Sequence, residues 1–205
     1  MTACGPTIAG SGSVVTQSRD VSGFHSVELS GDGRLEIEVA ENNALTITAD
    51  DNLMEYIDSD VVGSRLILDP HNHVNLDPSA EILYRVSVKN LDEISVSGDA
   101  VVDAKGIHAE KFRVRISGDG SVLVAGTTDQ QDVRISGDGD YKGQDLVSKS
   151  ARVDISGDGK ALVVVSDNLE GNISGDGSLE YIGNPKVQQN ISGDGTIRAR
   201  EVEAR

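Results

Sequence analysis

The tetrapeptide Ser-Gly-Asp-Gly recurs at Ser30, Ser117, Ser136, Ser156, Ser174 and Ser192, with Ser97-Gly98-Asp99-Ala100 as a near copy. From Ser97 onward the serines follow at steps of 20, 19, 20, 18 and 18 residues. A period near 20 is the length of one supersecondary unit that cannot bury its apolar face alone and must stack on its neighbours. Helical repeats are longer and lack such a break, because each glycine costs a helix interior roughly 1 kcal/mol. The period therefore predicts the coils of a β-solenoid.

The repeats align on one template: apolar, any, apolar, the tetrapeptide, then any, apolar, any, apolar. Val114 with Ile116, Val133 with Ile135 and Val153 with Ile155 precede the turn, and Ile173 and Ile191 continue the second column. Val102, Val122, Tyr141, Ala161, Leu179 and Ile197 fill one slot after it, and Leu35 fills the same slot in the first, isolated copy. Stacked in register, these columns make aliphatic ladders around a dry interior. Arg113, Arg115, Arg134, Arg152 and Asp154 have the opposite parity and should face water. Only 3% of the chain is aromatic, so the core must be built from Val, Ile, Leu and Ala.

Three segments follow from the pattern: a Gly/Ser-rich tether over 1–18, a solenoid domain over 19–198, and a charged tail over 199–205. Within the solenoid, 91–198 is regular and 19–90 is β-rich but irregular. Strands are expected over 35–39, 44–48, 65–68 and 82–88, with one helical turn over 51–58 carrying Leu53, Met54 and Ile57. A solenoid end is an open sheet edge. The irregular part is expected to cover one end, and the charged tail from Arg198 to discourage pairing at the other.

Glycine is abundant, at 23 residues, and proline scarce, at 4, as suits many tight turns between short strands. The formal charge of −16 opposes binding to nucleic acid or to an anionic membrane surface. Cations, basic proteins and neutral glycans stay compatible with it. No apolar run is long enough for a transmembrane helix. The single cysteine excludes an internal disulfide framework. Met1-Thr2-Ala3-Cys4-Gly5 reads like the end of a bacterial lipobox, with small residues ahead of a cysteine that becomes lipid-modified. Cys4 is thus the candidate lipidation site of an exported, envelope-anchored protein. The other reading is a free thiol near a genuine start.

Over about 19–198 the chain resembles the head GIN domain family of auto-transporter adhesins. The resemblance rests on Arg19-Asp20-Val21-Ser22-Gly23-Phe24-His25-Ser26-Val27, on Asp51-Asn52-Leu53-Met54-Glu55-Tyr56-Ile57 and on the serial Ser-Gly repeats. Ser174-Gly175-Asp176-Gly177-Ser178-Leu179-Glu180-Tyr181 with Gly183-Asn184-Pro185 completes it. It implies a right-handed parallel β-helix on exported, often lipid-anchored bacterial proteins. Many relatives carry Ser-Gly-Ser-Gly followed by Asp, whereas here Asp lies between the glycines, so nothing about this Asp column is carried over.

The repeated corner has two readings. Structurally, glycine supplies positive φ, and only small residues let corners stack at about 4.8 Å. Gly118, Gly120, Gly137, Gly139, Gly157, Gly159, Gly175, Gly177, Gly193 and Gly195 are the turn residues on this reading. Functionally, Asp99, Asp119, Asp138, Asp158, Asp176 and Asp194 form a carboxylate ladder that could take a cation such as Ca²⁺. One Asp per corner falls short of the six to eight oxygens calcium needs, unless backbone carbonyls and water complete the set. His71-Asn72-His73, flanked by Asp69 and Asp77, could bind Zn²⁺ from a strand but reads better as a polar loop between Pro70 and Pro78. His25 and His108 stand alone.

Parallel β-helices also host polysaccharide-cleaving enzymes, which need one clustered set of carboxylates. Here the Asp copies are equivalent and none is singled out, and no nucleophile motif or phosphate loop is present. The expectation is a non-catalytic binding or structural module with no required cofactor, contacting glycan, matrix or an envelope protein. The alternatives are a β-helix enzyme acting on envelope or extracellular polysaccharide, and a periplasmic scaffold without a small ligand. Cys4→Ala in the full-length protein should move it from the membrane to the soluble fraction; unchanged membrane association on cell fractionation would remove the lipid anchor.

Overall fold

The computed structural model describes residues 6–71 and 74–201. Strands β1 (Thr7–Ala9) and β2 (Val14–Arg19) precede β3 (Ser26–Ser30) and β4 (Arg34–Val39), which flank the first Ser-Gly-Asp-Gly. Then come β5 (Ala44–Asp50), a 3-10 helix over Asp51–Tyr56, β6 (Ile57–Val62), β7 (Arg65–Pro70), β8 (Asn75–Asp77) and β9 (Leu83–Val88). The regular part runs through β10 (Glu93–Ser97), β11 (Val101–Ser117), β12 (Ser121–Ser136), β13 (Asp140–Ser156) and β14 (Lys160–Ser174). It finishes in β15 (Ser178–Ile182), β16 (Lys186–Ser192) and β17 (Thr196–Ala199).

Each coil has two arms joined at the tetrapeptide. The first arm, ahead of the corner, stacks β7, β3, β10, the second halves of β11 to β14, and β16 in parallel. The second arm stacks β9, β4, the first halves of β11 to β14, then β15 and β17. The register places Leu29, Val96, Ile116, Ile135, Ile155, Ile173 and Ile191 in one column and the tetrapeptide serines in the column next to it. The inward columns are buried through the layer of Leu169, Ile173 and Leu179, as alternation at a strand's period of two requires. Coil length varies while the corner stays in register. The difference is absorbed at the other bend, where the pairing slips between Ala104/Ile107, Leu123/Ala125 and Gly143/Val147.

The interior of the regular coils is mostly aliphatic and encloses one buried polar network. The Tyr141 hydroxyl donates to Gln131 Oε1 at 3.0 Å, and Gln131 Nε2 donates to Ser148 Oγ at 2.6 Å. Ser148 Oγ in turn donates to the Val164 carbonyl at 2.9 Å. All three side chains are buried, so each must find a protein partner. Burial also pushes the Tyr141 hydroxyl pKa well above its ordinary value.

The first Ser-Gly-Asp-Gly is not isolated. Ser26–Ser30 pairs in register with Glu93–Ser97, and Leu35 sits on Val102, so this copy is a coil of the same stack. Between them the chain leaves the stack and builds its closed end. β7 and β9 form a layer beneath β3 and β4, although they come later in sequence. β6 then runs antiparallel to β7, β5 antiparallel to β9, and β2 antiparallel to β5. The irregular part thus covers one end, and the helical turn is the 3-10 helix, with Leu53 and Met54 buried. β6 was not legible beforehand, because Asp58, Ser59 and Asp60 break any apolar alternation.

The stretch read as tether also differs. From Thr7 it is part of the sheets, with β1 parallel to β8 and β2 along the edge of β5. The buried Asp50 carboxylate holds it there, accepting bonds from Gly12 N–H and Ser79 N–H at 2.8 Å each and from Ser79 Oγ at 2.6 Å. The Ser79 hydroxyl is the largest influence lowering the Asp50 pKa; burial opposes it, and the backbone donors add to the lowering. A carboxylate with a depressed folded-state pKa stabilises above its unfolded value, and that stabilisation is lost as pH falls through the folded value. Asp50→Asn should therefore melt at a lower temperature than the native protein at neutral pH. The two melting temperatures should converge only as the pH falls below the ordinary aspartate range and through the lowered folded-state value, where the native carboxylate takes up its proton. A constant gap across the pH series would assign Asp50 no such role.

Candidate functional site

The corner is built so that the main-chain ladder passes through it. The first glycine donates to the serine carbonyl one coil on, as in Gly118 N to Ser136 O at 3.0 Å and Gly137 N to Ser156 O at 2.9 Å. The residue after the second glycine donates back to the coil before, as in Asp140 N to Gly120 O at 2.9 Å. Two columns of glycine are forced by space. Gly137 has φ of 118°, and a Cβ there would lie 2.8 Å from the Gly118 carbonyl oxygen. At Gly139 a Cβ would lie 2.5 Å from Ile116 Cγ2 and 2.9 Å from the Gly120 oxygen. The isoleucine methyl of one coil fills the space that the next coil's second glycine leaves. Ala100 breaks this column where the side chain one coil below is Leu29, which has no methyl on its Cβ.

None of this involves the aspartate side chains. Asp99, Asp119, Asp138, Asp158, Asp176 and Asp194 all face solvent, as do the serines from Ser97 to Ser192. Among the described residues the one hydrogen bond to these carboxylates is from Asp194 N–H to Asp176 Oδ1 at 3.4 Å. Neighbouring carboxylates at the strand spacing of about 4.8 Å repel by roughly 1 kcal/mol in water. The glycines alone account for the turn, so the carboxylate in every copy is not explained by the fold. The described residues contain no group of three or more His, Cys, Asp or Glu placed to hold a metal ion.

Beside the serine column runs an open groove, with Ser117, Ser136 and Ser156 on one wall and Arg115, Arg134 and Asp154 on the other. The charges on this outer face are satisfied among themselves. Arg152 bridges Asp154 at 3.1 Å and Glu170 at 2.6 Å, and Asn172 donates to Asp154 at 2.7 Å. Glu93, almost buried, is held by Arg65 at 3.2 Å, Arg113 at 3.0 Å and Arg115. The parity of the arginines foretold their exposure but not this ladder, because ion pairs between coils depend on register.

Cys4 and His73 lie outside the described residues. His71 Nδ1 meets Asp58 Oδ2 of β6 at 2.6 Å. His25 Nδ1 lies 3.0 Å from Asp92, and His108 Nδ1 lies 3.0 Å from Thr127 Oγ1. Each of these is a single pair, and only His108 with Thr127 joins two strands. Among the described residues no helix is long and apolar enough to cross a membrane.

Stacked coils with one periodic, solvent-facing polar edge define a β-solenoid repeat protein that presents a linear surface. The chain belongs to the family described as "Putative auto-transporter adhesin, head GIN domain", whose model matches residues 23–185. It is similar in fold to a "putative adhesin" from Bacteroides fragilis NCTC 9343, with a TM-score of 0.76 at 18% identity over 94% of this chain and 100% of that one. A "putative lipid binding protein" from Parabacteroides distasonis ATCC 8503 gives 0.61 at 22% identity, covering 95% of this chain and 100% of that chain. A "putative adhesin" from Parabacteroides merdae ATCC 43184 gives 0.58 at 20% identity, covering 96% and 100%. No curated protein matches the chain.

The two kinds of corner residue should respond oppositely to substitution. Gly137→Ala should destabilise by about 1–3 kcal/mol through the forced backbone shift. Asp138→Asn should leave the melting temperature unchanged or raise it, more so at low salt where the carboxylates are least screened. Thermal melts of both variants at two ionic strengths check this, and an unfolding Asp138→Asn would return the aspartate to the turn.

Proposed function

We propose that the protein is a non-catalytic binding module of the bacterial cell envelope, anchored through lipidated Cys4, and that its serine–aspartate edge holds an extended, uncharged glycan. The observation that supports this most is the edge itself. Carboxylates that the turn does not need recur in every coil despite repelling one another, beside hydroxyls that face solvent. Carboxylates and serine hydroxyls accept hydrogen bonds from sugar hydroxyls, and the corner repeats one of each at every step of about 4.8 Å, with the open groove running beside the serines. With 3% aromatic residues the edge has little stacking area for sugar rings, so each step binds weakly and affinity accumulates along the polymer. The negative edge disfavours anionic polymers. Family membership supports a surface-binding role, since the family carries an adhesin description.

The test is retention on immobilised neutral and acidic polysaccharides, comparing native protein with Asp119→Asn/Asp138→Asn/Asp158→Asn/Asp176→Asn. The native chain should be retained by neutral glycans, more strongly by longer chains. The fourfold variant, equally folded, should lose at least about tenfold in affinity, or 1.4 kcal/mol. Equal retention of both proteins, or none by the native protein, overturns the reading. Products released from the glycan during incubation would instead establish the enzymatic alternative.

A further inference from the structure

The two ends of the first arm are finished differently. Its outward face carries a charge in successive coils, with Arg113, Asp132, Arg152 and Glu170 in one column. At β16 that column ends in Gln188, and the column beside it ends in Asn190. An exposed edge strand is ordinarily protected by charge, proline, a bulge or a covering segment. β6, at the opposite end, carries Asp58 and Asp60. β16 is seven residues long and exposed throughout, and among the described residues it pairs with β14 alone. Its one charge is Lys186, at the first position.

The inward side chains of β16 are Val187, Gln189 and Ile191, symmetric about Gln189. Val187 and Ile191 are each 38% exposed, against 1% for Leu169 and 2% for Ile173, the matching residues one coil earlier. Such a strand is its own complement in antiparallel pairing. A two-fold axis at Gln189 sets Val187 opposite Ile191 of the second copy, and Gln188 opposite Asn190 of the second copy. Gln189 faces its counterpart, amide to amide. Lys186 falls opposite Ser192 of the second copy, away from its own counterpart and within a long side chain's reach of that copy's Asp194 carboxylate. A slip by one residue would set inward apolar residues against outward amides, so the register is specified.

We propose that β16 is the seam of a homodimer in which two copies join end to end through their first arms, antiparallel about Gln189. An isologous contact requires that residue i meet j while j meets i, and the order valine, glutamine, isoleucine meets this condition. Besides Lys186, the described cationic residues of the same end are Arg198 and Arg200, near the second arm and held by Glu180 at 2.9 and 3.5 Å. They do not enter the seam.

The experiment is sedimentation velocity on the full chain carrying Cys4→Ser, from low micromolar to several hundred micromolar. A reversible dimer is expected. Val187→Lys/Ile191→Lys, which gathers like charges at the seam, should weaken association by about tenfold or more while melting as the dilute native protein does. In the same background Gln189→Cys should form an interchain disulfide under mild oxidation, because facing residues of an antiparallel pair lie about 4.5–5.5 Å apart at Cα. Val62→Cys, at the other end, should not. A monomer at every concentration overturns the proposal, as does a dimer indifferent to the lysines or linked through residue 62 rather than 189.

Discussion

The structure depends on one constraint: successive corners must approach as closely as paired strands do. The ladder on each arm has a fixed spacing, and a corner that could not keep to it would splay the coils apart. Two glycines per coil meet the condition, one by positive φ and one by leaving room for an isoleucine methyl. Ladder hydrogen bonds then continue from the first arm into the second around the bend. Everything inward of the corner follows from that continuity. The isoleucine column stays in line only because the corner does not drift.

The same continuity sets the electrostatics. Residues many positions apart in sequence become vertical neighbours, so opposite charges in the outward columns neutralise one another, as Arg152 does with Asp154 and Glu170. The aspartates at the corner have no such neighbours, since each stands above another aspartate. The strongest like-charge column of the molecule therefore lies where the turn leaves side chains free to face water.

Much of this was legible in the residues. The spacing of Ser-Gly-Asp-Gly and the alternation of Val, Ile and Leu are local and repeated, so six near-identical segments report the same geometry. The Asp51–Tyr56 helical turn and the β4, β5, β7 and β9 strands also showed in the pattern. What escaped was non-local. The first tetrapeptide looked isolated because 40–92 intervenes before its partner coil, and the segment from Thr7 looked like tether because its strands are short, polar and paired far away. Asp50 gave no sign of burial, because its three donors come from Gly12 and Ser79.

The sequence by itself determined the coil, its corner and its inward columns, because a period of about 20 residues repeats each local choice until only one stacking satisfies them all. The tertiary structure decided the order of the layers, which places β7 and β9 beneath strands that precede them. It also decided which carboxylates are paired and, among the described residues, which edge strand of the first arm carries little charge. These depend on register between distant strands, which no single repeat encodes.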